Sequence, residues 1–181
     1  DKYIGDRIDV EVLRNGNKLH RTIELKRHCA LVPRSQYDTL PRYFVYAGLV
    51  FQPLSLDLLR TWRKWWDRAP SELLRHYYGG VRSEERQEVL VLTQVLADKI
   101  NVGYEKLSNR TVHLVNGVLP RDLQHFVELV EGATGQLEIT LSNSCVVVLD
   151  TKEARKASKR ILKRYHASPD RSSLGGATEV G

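Results

Sequence analysis

The 181-residue sequence has no methionine, only two cysteines, three phenylalanines and six prolines. Without an initiator Met before Asp1, the chain is expected to be a processed product or an excised fragment. No charged-then-apolar leader opens it, so any targeting signal is expected outside this stretch and the compartment stays open. No apolar run approaches the roughly 18 residues that a membrane-spanning helix needs. Cys29 and Cys145 form no Cys-x-x-Cys pair, and no paired histidine spacing accompanies them. That argues against zinc, and the two are read as buried thiols. No metal and no cofactor is expected.

Catalytic signatures are also missing. There is no Gly-x-Ser-x-Gly elbow, phosphate-binding loop, dinucleotide fingerprint or His-Glu-x-x-His. Ser142-Asn143-Ser144 falls in a hairpin turn, where Ser and Asn are favoured for turn geometry alone. His113 on a strand and His125 on a helix stand apart from any acid–nucleophile pair. No catalytic residue is assigned, and no peptidase activity is expected of these residues.

What is present is an ordinary globular composition, with 41% hydrophobic and 28% charged residues and a net charge of +6. Ile8 to Arg14 alternate in period two, Asn15-Gly16 suits a tight turn, and residues 19–25 return, which predicts a β-hairpin. Tyr43 to Phe51 reads as two strand pieces broken at Ala47-Gly48. Residues 57–68 switch to helical period, with Leu58, Leu59, Trp62, Trp65 and Trp66 recurring at three and four. After Pro70 a second short helix is expected over 71–78, closed by Gly79-Gly80. Residues 88–96 read as a strand buried on both faces, and 111–115 as a strand ended by Asn116-Gly117. Pro120 suits a first helical position, and Leu123, Phe126, Val127 and Val130 mark an amphipathic helix. A second hairpin is expected over 136–141 and 145–149. A helix capped by Asp150 should then run to about Tyr165.

Three features invite a functional reading. The last helix carries seven cations against Asp150 and Glu153, a net +5. A phosphate-binding face is one reading, but a solvated helix face is favoured, which makes a nucleic-acid-binding module the outlying alternative. Leu58, Trp62, Trp65 and Trp66 form a possible interface, with packing inside the domain as the plainer role. The segment Tyr46, Ala47, Gly48, Leu49, Val50, Phe51 can expose successive backbone N–H groups as a carboxylate nest beside a strand edge.

The order of these elements, with their residues, resembles the PDZ domains of HtrA/Deg serine proteases, closest to the second PDZ domain of the plant-type Deg group. The residues are Leu31-Val32-Pro33, Tyr46-Ala47-Gly48-Leu49-Val50-Phe51-Gln52-Pro53-Leu54, Thr93-Gln94-Val95-Leu96, Asn101-Val102-Gly103-Tyr104-Glu105, Val115-Asn116-Gly117 and Val147-Val148-Leu149-Asp150. The resemblance implies an α+β fold: a PDZ-like, partly open antiparallel β-barrel or sandwich flanked by helices, with a helical insertion at about 57–80. Residues 1–27 would be the closing hairpin of a preceding, incomplete PDZ domain, 28–166 the second domain, and 167–181 a disordered tail. The family's protease domain would lie upstream, outside this chain, and the Trp helix departs from the family pattern.

The function implied is substrate recognition and oligomerisation. Peptides or unfolded protein segments would add as a strand beside Leu49–Phe51, with the terminal carboxylate at 46–49. Leu123, Phe126, Val127 and Val130 would line the pocket, and Gly48→Val would weaken binding with the fold retained. The chain's own protease domain and neighbouring subunits are further expected partners. The alternative within this fold is a groove filled by its own chain, acting only in assembly.

Overall fold

The computed structural model describes residues 2–25, 27, 29–34, 39–167 and 169–172. Strands β1 (Arg7–Arg14) and β2 (Asn17–Glu24) form the first hairpin, with Arg14 opposite Asn17. Asn15 and Gly16 both take positive φ, 52° and 79°, which closes a two-residue turn matching the strand twist. The hairpin stands as its own two-stranded sheet. Val12, Leu13, Leu19 and Ile23 remain exposed on it.

The other strands are β3 (Phe44–Tyr46), β4 (Leu49–Pro53), β5 (Leu90–Val95), β6 (Arg110–Val115), β7 (Gln136–Leu141) and β8 (Val146–Asp150). They pair antiparallel in chain order as one six-stranded sheet, β3-β4-β5-β6-β7-β8. The sheet is not closed, in keeping with the expected open α+β architecture. Tight connections return the chain beside β3 and β7, while longer ones join β4 to β5, β5 to β6 and β6 to β7. Asn116-Gly117, at φ 46° and 81°, ends β6 as expected. Irregularities at Val50/Phe51 and Val112/Leu114 shift the register in β4–β5 and β6–β7.

Between β4 and β5 lies a helical insertion, and here expectation and structure part. Residues 57–68 form two short helices, α1 (Leu56–Leu59) and α2 (Trp65–Arg68), rather than one. Lys64 stands between them in left-handed backbone, φ 55° and ψ 53°, which ends the helical period before the Trp pair. α3 (Ser71–Gly79) follows Pro70. α4 (Leu123–Gly132) begins at the Asp122 cap, whose carboxylate accepts from His125 N–H at 2.8 Å. Pro120 therefore precedes the helix instead of opening it. α5 (Thr151–Arg164) is capped by Asp150, which accepts from Glu153 N–H at 2.9 Å.

Two cores result. The larger gathers Phe44, Leu49, Phe51, Leu92, Phe126 and Ile139 from the sheet and α4, with Ala154 of α5. The smaller joins Leu31, Val32, Leu54, Leu59, Leu73 and Val91 beneath the insertion. Both cysteines are free thiols, and Cys29 is exposed rather than buried because it precedes the first buried residues, Leu31 and Val32. No helix among the described residues is long and apolar enough to cross a membrane. Nor do they hold a group of three His, Cys, Asp or Glu side chains placed for a metal ion.

Residues 169–172 correct the tail expected from 167. Val45 N–H donates to the Asp170 carbonyl at 2.7 Å, and Ser172 N–H to the Tyr43 carbonyl at 3.1 Å. These main-chain bonds to a strand edge order a stretch whose composition alone suggests none. Residues 173–181 and Ser168 lie outside the described residues.

Candidate functional site

The Ala47-Gly48 turn joins β3 to β4, with φ at 49° and 84°. The polar contacts of the turn tie it to α5 and to the loop after β5. Ala47 N–H donates to Ser158 Oγ on α5 at 2.8 Å, and that hydroxyl donates to the Ala154 carbonyl at 2.9 Å. Asn101 Nδ2 donates to the Ala47 and Leu96 carbonyls at 2.8 and 2.9 Å. Leu96 N–H donates to the Gly48 carbonyl at 2.7 Å. Ala47, Leu49 and Asn101 are wholly buried. The Ala47 amide, expected to help cradle a carboxylate, therefore faces Ser158 of α5 instead of solvent.

The strand slot expected beside Leu49–Phe51 is also taken. A strand has two edges, and β4 pairs with β3 on one (Phe44 opposite Phe51, Tyr46 opposite Leu49) and with β5 on the other (Leu49 opposite Val95). No main-chain edge is left there for a peptide. Leu123, Phe126, Val127 and Val130 of α4 all face the core, at most 2% exposed. The Phe126 ring meets Phe51 at 4.6 Å and Phe44 at 6.2 Å. The structure thus brings the residues of the expected groove together as packed interior, with Val50 half-buried and Phe126 of α4 directly against Phe51 of β4.

The edge that does receive a strand is the outer edge of β3. Arg171 stands opposite Phe44 in an antiparallel bridge. Tyr43 adds its N–H to Ser172 Oγ at 3.0 Å and its hydroxyl to the Pro169 carbonyl at 3.2 Å. The Arg171 guanidinium lies over the Phe44 ring, 5.0 Å from its centroid, and reaches Glu131 of α4 at 2.5 Å and Asp170 at 3.0 Å. Asp170 and then Glu131 hold the guanidinium's pKa above its ordinary value. Strand edge on one side and helix on the other make a groove, and Asp170–Ser172 occupy it.

Asp98 ties the far end of α5 to the sheet. It is 2% exposed on its side chain and accepts from Arg160 at 2.5 Å and Arg164 at 3.4 Å. Its carboxylate also caps Ile100 N–H at 3.3 Å, while Asn101 Oδ1 accepts from Asp98 N–H at 2.9 Å. The hydrogen bond from Arg160 is the main reason its pKa stays below the usual carboxylate range. Sequence reasoning missed Asp98, Asn101, Ser158 and Arg171. The Asp98–Asn101 spacing is a cap signal, but the partners of Ser158 and Arg171 lie 111 and 40 residues away and leave no local mark.

Leu58, Trp62 and Trp65 are half-buried against the smaller core, while Trp66 is 59% exposed. Trp65 meets Tyr77 edge-on at 5.2 Å and Trp66 at 6.0 Å. The expected stripe is thus split between packing and surface.

An open antiparallel sheet with helices at its edge is the architecture of a protein-interaction domain. The chain belongs to the PDZ-domain family, whose pattern matches residues 32–174. It is similar to Protease Do-like 4, mitochondrial, of Arabidopsis thaliana, 36% identical over 165 residues, which are 91% of this chain and 29% of that protein. It is also similar to Protease Do-like 2, chloroplastic, of the same plant, at 30% over 173 residues, 95% of this chain and 28% of that one. A serine protease DegP homolog of Plasmodium falciparum is 26% identical over 131 residues, 72% of this chain and 14% of that protein. The HtrA/Deg-type resemblance of the sequence thus holds, and the chain spans under a third of the relatives it matches.

Proposed function

We propose that these residues form the non-catalytic recognition and assembly region of an HtrA/Deg-type serine endopeptidase, whose protease domain lies outside this chain. The strand acceptor is the outer edge of β3, bordered by α4. The observation that carries this reading is the pairing of Asp170–Ser172 with Tyr43–Val45 between that edge and Glu131. Extended peptides, unfolded segments or a neighbouring subunit compete for the edge with the chain's own residues. This is the self-occluded form of a PDZ groove, and it favours a role in assembly over open capture of substrate. The β1–β2 hairpin, with its exposed apolar residues, is read as a piece of a preceding PDZ domain.

Removal of residues 168–181 tests this. The truncated chain should bind a fluorescent peptide of residues 168–174, or self-associate, while the intact chain does neither. If the truncated chain keeps its thermal unfolding and gains no binding or association, the β3 edge is not an acceptor.

A further inference from the structure

α5 sorts its cations by type. On a helical wheel of about 100° per residue, Lys152, Lys156, Lys159 and Lys163 fall within an arc of roughly 60°. That arc lies opposite the buried Thr151, Ala154, Ala157 and Ile161. All four lysines are exposed. The arginines occupy the flanks and reach back to the protein. Arg155 donates to the Glu131 and Ala133 carbonyls at 2.8 and 3.0 Å, and Arg160 and Arg164 bind Asp98. Glu153 lies on a flank and pairs with Lys156 at 2.9 Å, yet the Lys156 side chain stays 73% exposed. The crest is therefore a line of four ammonium groups, about 16 Å long at 1.5 Å per residue, with no acidic side chain on it.

We infer that the Lys152–Lys163 crest of α5 docks this region on an anionic lipid surface. Lysine ammonium groups are compact point charges suited to a diffuse layer of headgroups. Nucleic acid is read by Arg forks and stacked aromatic rings. Here the arginines are engaged with the fold, and no aromatic side chain shares the crest. The face opposes the helix's buried side, so adsorption needs no rearrangement. Each lysine near such a surface contributes a factor of about five to binding.

The test is co-sedimentation of the chain with vesicles of phosphatidylcholine containing phosphatidylglycerol, against vesicles of phosphatidylcholine alone. Binding should require the anionic lipid and weaken as salt shortens the screening length. Lys159→Gln alone should weaken it about fivefold, and Lys152→Gln, Lys156→Gln, Lys159→Gln and Lys163→Gln together should abolish it. A control with Arg14→Gln, Arg21→Gln, Arg63→Gln and Arg75→Gln loses the same charge elsewhere and should keep most of the binding. The inference is overturned if the intact chain ignores the anionic vesicles, or if the control loses as much as the lysine variant. It is equally overturned if duplex DNA binds the crest more tightly than the vesicles do. Thermal unfolding of each variant shows that it is folded.

Discussion

Replacing Gly48 by alanine places a Cβ 2.5 Å from Asn101 Nδ2 and 2.5 Å from the Leu96 carbonyl oxygen. The second contact is with backbone that is itself held by the Leu96 N–H bond to the Gly48 carbonyl. Three effects add. A non-glycine residue at φ of 84° is strained by roughly 1 kcal/mol. Asn101 must move, which breaks its bonds to the Ala47 and Leu96 carbonyls at about 1 kcal/mol each. Those carbonyls are then left buried, which adds about another 1 kcal/mol. Gly48→Ala should therefore destabilise by about 4 kcal/mol, or lower the unfolding midpoint by roughly 8–16 °C. Urea unfolding measures it, with Asn101→Ala expected at about 4 kcal/mol from its three lost bonds and the same carbonyls left buried. Because both changes break the same bonds, the double variant should fall short of additivity by 1 kcal/mol or more. A Gly48→Ala loss under about 1 kcal/mol, or strict additivity, would refute this account of the turn. The larger Gly48→Val cannot be expected to keep the fold, contrary to what the sequence suggests.

Other expectations follow from the same contacts. Trp65→Ala should lower stability by about 2–3 kcal/mol because Trp65 packs on the smaller core, while exposed Trp66→Ala should change it by less than about 0.5 kcal/mol; thermal unfolding with mass in solution checks both. Stability should fall as pH drops below the ordinary histidine pKa of about 6.5. Burial first, and then Arg86, hold the His76 pKa down, so the unfolded chain takes up the proton before the folded one does. His76→Gln should flatten that part of the urea-midpoint curve against pH. A second loss should appear near pH 4 and below, as Asp98 and Glu72, both lowered in the fold, are protonated. For Glu72 burial acts upward, but the Thr111 hydrogen bond with His113 and His76 outweighs it. The chain alone should leave unfolded casein intact, and cleavage sensitive to a serine-directed inhibitor would contradict that.

Local signals in the sequence were legible and long-range ones were not. The Asn15-Gly16 and Asn116-Gly117 turns, the Asp150 cap and the core positions of α4 all follow from short-range chemistry. The break at Lys64 was not legible, because helical period continues through it and only tertiary packing reveals the left-handed residue. The Ala47-Gly48 segment shows how the same residues support two readings. Its positive φ angles are what a nest requires, and equally what a tight β3–β4 turn requires. Only the partners Ser158, Asn101 and Leu96, supplied from far along the chain, decide that the turn's backbone groups are held within the fold. The acceptor edge of β3 was invisible for the same reason, since its occupant Arg171 is 127 residues from Phe44 in a stretch rich in Ser, Gly and Ala.

Amide hydrogen exchange at Val45 reports whether the chain's own residues hold the outer edge of β3. In the intact chain Val45 N–H, bonded to the Asp170 carbonyl at 2.7 Å, should be protected. It should exchange freely once residues 168–181 are removed, and regain protection when a peptide of residues 168–174 is added. Free exchange at Val45 in the intact chain, or protection that survives the deletion without peptide, would contradict a β3 edge held by the chain's own strand.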